Sequence, residues 1–275
     1  MQAEFPPVHF FLHVPKCAGT TVERHFARHL GDGFLIAPRW AHPLRDVIGN
    51  RYPDIDRLAL RRVRVASGHS LSRNLGAAFT GRPVREHVLL RDPLSWLISF
   101  YNYRWMRYET RRDPVPPPFE EWLRTQRRNP ISRFLLTRYF GIGHPRVYAL
   151  STRARLALLE RAFAGFKFVG AWTRVDEAVA RVSAELGLPE RPEAENVGRA
   201  AKTLRVEDVT EAQRARIAQE HALDALLFER WKDRGADPAR NPEAGGAAAE
   251  ALPAYDGLSY LPSDVESAVR RKLWR

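Results

Sequence analysis

The sequence predicts an α/β fold with a mostly parallel central sheet flanked by helices. Apolar segments of strand length, such as 8–14, alternate with segments in which apolar residues recur every three or four positions. This alternation is typical of parallel strands joined by helices. A chain of 275 residues with 44% hydrophobic residues is long enough to bury the core that such a fold requires.

The first part of the chain predicts a strand, a helix and a long loop. The apolar run at 8–14 suits a strand buried on both faces, and Pro15 ends it. The helix that follows has apolar residues four positions apart on one side, at 22, 26 and 30. Residues 31–62 are rich in Pro, Gly, Arg and Asp, and we expect a loop with short helices there.

The middle of the chain predicts two further strands and an aromatic helix. The strands are expected at 63–66 and 87–90. Asp92 and Pro93 are of the types preferred at the N-cap and the first position of a helix, which we expect to continue over 94–108. Its many aromatic residues indicate burial on several sides.

The remaining elements lead to a three-part organisation. Helices are expected at 119–127, 151–163, 173–186 and 210–231, a strand at 166–172, and an irregular basic loop at 189–203. Pro, Ala and Gly dominate 235–254, which indicates a linker. We therefore expect a main domain at 1–234, a linker at 235–254, and a tail with a short amphipathic helix at 255–275.

Composition limits the partners and the compartment. Lys and Arg exceed Asp and Glu by 44 to 32, so the net charge of +12 favours an anionic partner: nucleic acid, polysaccharide, acidic peptide or membrane headgroups. Cys17 is the one cysteine, which excludes an intrachain disulfide and suits a reducing compartment. No stretch approaches 18 apolar residues and the N-terminus lacks signal-peptide features, so we expect a cytoplasmic protein without a transmembrane segment.

Three polar residues each follow a predicted strand, namely Lys16, His69 and Arg91. Ligands of parallel sheets bind beyond the carboxyl ends of the strands, and those ends share one edge. The sequence therefore predicts that these three residues meet at one site.

The loop that carries Lys16 has the features of an anion site. A helix that begins near Gly19 directs unpaired backbone N–H groups and its positive dipole end at the loop, and Thr20 and Thr21 add hydroxyls. Lys16 precedes Gly19 by three residues, whereas the lysine of the Walker pattern follows its glycine. An ordinary nucleotide triphosphatase is therefore disfavoured.

Read together, three segments resemble the sulfotransferase superfamily: 15–21 (PKCAGTT), 67–69 (SGH) and 90–101 (LRDPLSWLISFY). The chain is most similar to the carbohydrate branch that includes the heparan and chondroitin uronyl 2-O-sulfotransferases. Weaker similarities at 129–133, 169–177 and 224–231 extend the match over about 8–232. The resemblance implies a P-loop-like sulfotransferase fold. It also implies transfer of a sulfuryl group from 3′-phosphoadenosine 5′-phosphosulfate (PAPS) to a hydroxyl acceptor, a carbohydrate first of all, with adenosine 3′,5′-bisphosphate (PAP) as product.

The resemblance also implies roles for individual residues. Lys16 would stabilise the leaving oxygen and His69 would act as general base. The 3′-phosphate of the cofactor would be bound by Arg91 and Ser99, and a basic segment with Asn196 and Arg199 would cover the cofactor. The 5′-phosphosulfate would be bound by Lys16, Cys17, Ala18, Gly19, Thr20 and Thr21.

The chain departs from the family pattern at three places. Cys17 stands where Thr or Ser is common, although its backbone N–H is still available to an anion, and Trp96 stands where Arg is common. The histidine segment holds one His where some members have two, so the assignment of the base depends on His69 alone.

Two other function classes stay open at this stage. The fold is compatible with a non-catalytic module that binds anions or nucleic acid, and with a P-loop-related kinase; for the enzyme itself we expect no nucleic-acid partner. His25 and His29 lack the Glu of an H-E-x-x-H motif and a third ligand, so we expect no metal. The tail is a candidate for self-association.

Overall fold

A computed structural model of the chain describes residues 5–37, 57–79, 81–192 and 203–237. The tail helix expected at 255–275, nearly all of the expected linker, and the cofactor-covering residues Asn196 and Arg199 lie outside the described residues.

A five-stranded, all-parallel sheet forms the centre, in the order β2-β3-β1-β4-β5. Its strands are β1 (Val8–Leu12), β2 (Phe34–Ile36), β3 (Val65–Gly68), β4 (Val84–Leu90) and β5 (Phe168–Ala171). The predicted α/β class with a parallel sheet is confirmed. The sequence did not predict β2, because this edge strand has three residues, too few to show a period, and none of them is fully buried.

Helices flank the sheet and connect its strands. In chain order they are α1 (Gly19–Leu30), α2 (Arg57–Arg62), α3 (Pro93–Arg111), α4 (Phe119–Arg124), α5 (Pro130–Phe134), α6 (His144–Ala149), α7 (Thr152–Ala164), α8 (Val175–Leu186), α9 (Glu211–Glu220) and α10 (Ala222–Trp231). A π-helical turn, Leu135–Tyr139, continues from α5.

Two predicted helix ends are confirmed and one predicted helix is wrong. The Asp92 carboxylate accepts from the Ser95 N–H at 2.8 Å and caps α3, which begins at Pro93, and Gly187 ends α8 with a φ of 67°. The single helix predicted at 210–231 is instead broken at His221, whose φ of −117° is not helical. The break lets the Asn129 side chain cap the new helix start.

The chain after α10 covers the edge of the sheet at β5. Val169 and Gly235 exchange backbone hydrogen bonds of 3.0 and 2.8 Å, and Arg234 donates to the Phe166 carbonyl at 2.9 Å. An uncovered edge strand invites pairing with another chain, and this segment prevents that.

A pair of histidines is buried at the amino-terminal half of the sheet. Nδ1 of His9 lies 3.1 Å from Nε2 of His87, and the His87 ring stacks on Phe11. Burial lowers the pKa of His9 to about 4 and holds the pKa of His87 well below its ordinary value, with the Arg85 charge adding to both shifts. Both rings are therefore neutral at pH 7.

We expect the free energy of unfolding to fall as the pH is lowered from 7 to 4.5, because buried neutral histidines such as His9 bind protons more readily in the unfolded state. The pKa of His9 is 6.5 when unfolded and about 4 when folded, so the unfolded state binds more protons between these values and the free energy of unfolding falls with pH. At about 1.4 kcal/mol per pKa unit, the loss approaches ~3 kcal/mol for a fully buried His9. Asp224 offsets part of this loss. Its pKa is raised to about 6 in the folded state, so at this residue the folded state binds more protons than the unfolded state as the pH falls.

Urea unfolding at a series of pH values measures this dependence. The variant His9→Asn is expected to flatten it, whereas His29→Asn, at an exposed histidine, leaves it close to that of the wild type. An equal pH dependence in wild type and His9→Asn would contradict the assignment to His9.

Candidate functional site

The structure brings Lys16, His69 and Arg91 together at the carboxyl ends of three adjacent strands, β1, β3 and β4. His69 Nδ1 lies 2.9 Å from the His13 carbonyl oxygen, and Arg91 Nη1 donates to the Lys16 carbonyl at 3.0 Å. The prediction that these three residues share one edge of the sheet is confirmed, and the loop 13–18 is their common contact.

The backbone of this loop forms a cradle for an anion. Ala18 is left-handed, with a φ of 62°, and the helical residue Gly19 follows it. When successive residues adopt left-handed and right-handed helical backbone conformations, their N–H groups converge. Within the described part of the chain, no carbonyl accepts from the amides of Ala18, Gly19 or Thr20. These three amides and the positive end of the α1 dipole are therefore available to bind an anion.

Cys17 holds the shape of the loop. Its N–H donates to the Val14 carbonyl at 3.2 Å, so the amide that was expected to serve an anion is already committed. The thiol is 2% exposed, and burial raises its pKa, with Arg91 opposing and Asp224 adding to the shift. Cys17 therefore packs as a small neutral side chain.

The first turn of α3 clamps the loop from the other side. The indole N–H of Trp96 donates to the Pro15 carbonyl at 2.7 Å, next to the Arg91 bond to the carbonyl of Lys16. Two successive carbonyls are thereby held, one by Trp96 of α3 and one by Arg91, which precedes α3. No carbonyl of the described residues accepts from the amides of 18–20. Trp96, noted in the sequence as a departure from the family pattern, has this structural role.

Arg91 has donors left for a ligand. Its Nε donates to the Ser95 hydroxyl at 3.0 Å, and its guanidinium lies 4.1 Å from the ring centroid of Trp172, which follows β5. A guanidinium has five N–H donors, and the bonds to the Ser95 hydroxyl and to the Lys16 carbonyl use two of them. The hydroxyl in contact with Arg91 belongs to Ser95; Ser99, the residue expected there, lies one turn further along the same face of α3.

Lys16 lies against the same helix. Its Nζ is 4.5 Å from the ring centroid of Tyr103, which is four positions beyond Ser99. Burial lowers the pKa of Lys16, and the Arg91 charge lowers it further. Residues 95, 99 and 103 thus form one stripe of α3 that runs from Arg91 to the ammonium of Lys16.

His69 has the protonation state of a general base. A carbonyl oxygen accepts only, so the bond to His13 places the proton on Nδ1 and leaves the lone pair on Nε2. The pKa of His69 is lowered, first by partial burial of the ring and second by the neighbouring His13. The bond to the His13 carbonyl and the Glu23 charge act in the opposite direction and raise this pKa. Although the ring is partly buried, the residue as a whole is exposed to solvent.

Two segments that the sequence matched only weakly cap each other's helices. The Asp224 carboxylate accepts from the N–H groups of Ile131 and Ser132, at 2.9 and 2.8 Å, and from the Ser132 hydroxyl. In return, the Asn129 side chain accepts from the N–H groups of Leu223 and Asp224 at 3.0 and 3.2 Å. Burial raises the pKa of Asp224 to about 6 against the effect of these bonds. The pair fixes α5 to α10 near Cys17.

The described ranges contain neither a candidate metal site nor a candidate membrane span. No three His, Cys, Asp or Glu residues there are placed to share a metal ion. None of the helices described has the length and apolar character needed to cross a lipid bilayer.

Comparison with known proteins finds a structural similarity but no match in sequence. No family model and no curated protein matches the sequence. Among solved structures, the chain is similar to a sulfotransferase from Alicyclobacillus acidocaldarius, with 17% identity and a TM-score of 0.42 over 81% of this chain and 94% of that one.

Proposed function

We propose that this protein is a PAPS-dependent sulfotransferase that acts on a hydroxyl group, with a carbohydrate as the first candidate acceptor. The observation that carries the proposal is the anion cradle of 18–20, in a loop that includes Lys16 and whose Lys16 carbonyl accepts from Arg91. Two separate groups of donors suit a ligand with phosphate at both ends of one nucleoside. The carbohydrate preference rests on the resemblance of the three sequence segments.

The residues present fit such a ligand. The unpaired amides of Ala18, Gly19 and Thr20 would hold the 5′-phosphosulfate, and the remaining donors of Arg91 would hold the 3′-phosphate. Bound PAPS would supply an activated sulfuryl group.

His69 and Lys16 would have different roles in the transfer. His69 Nε2 would take the proton of the acceptor hydroxyl as its oxygen forms the new bond to sulfur. The bond from sulfur to the bridging phosphate oxygen breaks, and Lys16 would balance the charge that develops on that oxygen. Positioning and charge stabilisation account for most of the rate in comparable group transfers.

Calorimetric titration of the full chain tests the proposal against its alternatives. We expect micromolar binding of adenosine 3′,5′-bisphosphate and weaker binding of ATP with Mg²⁺. Preference for ATP with Mg²⁺ would indicate the kinase. Binding of neither nucleotide would favour the non-catalytic module.

Replacing Arg91 is expected to weaken that binding. Charge-assisted hydrogen bonds contribute about 1.5–3 kcal/mol, so Arg91→Ala should raise the Kd for the bisphosphate roughly 10- to 100-fold. Arg124→Ala is the matched control, since this arginine is largely exposed and pairs with Glu120. Equal affinities in the two variants would show that Arg91 does not bind the nucleotide.

A further inference from the structure

A carboxylate on α1 contacts His13, the histidine that lies against His69. Glu23 Oε1 lies 2.7 Å from His13 Nδ1 and accepts from the Ser67 hydroxyl at 3.1 Å. The Glu23 side chain is 18% exposed and that of His13 is 9% exposed, so both are largely shielded from water. One carboxylate thereby joins the end of β1, the first helix and the end of β3.

His13 in turn contacts His69 through both its ring and its backbone carbonyl. The two rings have centroids 3.9 Å apart and planes inclined by 37°, and the backbone carbonyl of His13 holds Nδ1 of His69. The His13 ring also packs closely against Gly19, where an added Cβ would lie 2.0 Å from His13 Cδ2. Contacts with Glu23, Gly19 and His69 therefore limit the position of the His13 ring.

We infer that Glu23, acting through His13, is a positioning residue for His69 that fixes its ring and balances the positive charge it gains as a base. The inference rests on the proposed function for its catalytic part only. The geometry of the Ser67–Glu23–His13 chain stands independently of the reaction.

The charges around His69 indicate the direction of the effect. His13, Glu23 and Lys16 are the titratable groups that face it, and Glu23 is the one anion among them. The Glu23 charge raises the pKa of His69, whereas Lys16 and His13 lower it. Removal of the carboxylate charge should therefore make His69 a weaker base.

Two measurements on the full-length chain test this role. In the first, the pKa of His69 is followed by NMR of histidine-labelled protein, with the signal assigned from His69→Asn. Glu23→Gln is expected to lower this pKa, while Glu23→Asp, which retains the charge, should restore it in part. Glu185→Gln, at a glutamate beside His9, is the matched control and should leave it unchanged.

In the second measurement, the pH dependence of sulfuryl transfer is compared. Activity requires unprotonated His69, so the acidic limb of the kcat profile should move to lower pH in Glu23→Gln, and kcat on the plateau should fall roughly tenfold. Glu23→Asp is expected to recover much of the plateau.

The outcomes separate the positioning role from the proposed function. A changed melting temperature with an unchanged His69 pKa in Glu23→Gln would overturn the inference and leave Glu23 merely structural. A lowered His69 pKa in a protein that transfers no sulfuryl group would support the Glu23–His13–His69 connection while refuting the sulfotransferase.

Discussion

Lys16→Met is expected to lower kcat for sulfuryl transfer by about 10²–10³, the cost of losing one preorganised group at a developing charge. Methionine keeps the length of the side chain without its charge. The backbone carbonyl of residue 16, which Arg91 holds at 3.0 Å, is retained, so the clamp on the loop should persist. The change therefore isolates the ammonium. KM for PAPS should rise much less, because in the proposed site the amides of 18–20 and Arg91 would still be available to bind phosphate.

Steady-state kinetics of transfer to a hydroxyl acceptor provides the measurement. Lys232→Met is the control, because this lysine pairs with Glu229 on α10. A variant at position 16 that keeps the wild-type kcat with a raised KM would place Lys16 in substrate binding alone and remove it from the leaving oxygen.

The sequence predicted that three site residues meet at one edge of the sheet, because each of them directly follows a strand that neighbouring residues alone indicate. A buried strand followed by Lys16, and another followed by Asp92 and Pro93, determine where each functional side chain emerges. Parallel pairing then brings those positions together without any knowledge of the loops. This is why Lys16, His69 and Arg91 were found from the sequence and meet in the structure.

The supporting contacts could not be predicted, since they connect residues far apart in the chain. Asp224 caps a helix that begins more than 90 positions earlier, and Trp96 holds the carbonyl of Pro15 across 81 positions. A helix pattern cannot show that His221 interrupts 210–231, because the new helix start is capped by Asn129, a residue more than 90 positions earlier. Such contacts depend on tertiary packing, which overrides local propensity.

The role of Gly19 changed most between sequence and structure. The sequence suggests a glycine that lets backbone approach an anion. In the structure, an added Cβ would lie 2.0, 2.4 and 2.6 Å from Cδ2, Cγ and Nε2 of the His13 ring. The absence of a side chain at position 19 is thus what gives the His13 ring its place beside His69.

Gly19→Ala is therefore expected to destabilise the protein and to reduce activity. Alanine is favoured over glycine in a helix by about 1 kcal/mol, but overpacking against a ring held by Glu23 costs about 1–3 kcal/mol, so the net effect should be unfavourable. Gly165→Ala is the control, because its Cβ would meet the Ala162 carbonyl at an ordinary 3.6 Å. Chemical denaturation should show a loss in the first variant and little change in the second.

A double variant separates the two consequences. Removing the ring in Gly19→Ala/His13→Ala takes away the overlap, so the free energy of unfolding should recover toward that of His13→Ala alone, a coupling typical of residues in contact. Activity should not recover, because His69 has lost the ring that packs 3.9 Å from its own. Additive losses of stability in the double variant would show that the His13 ring is not what excludes a side chain at position 19.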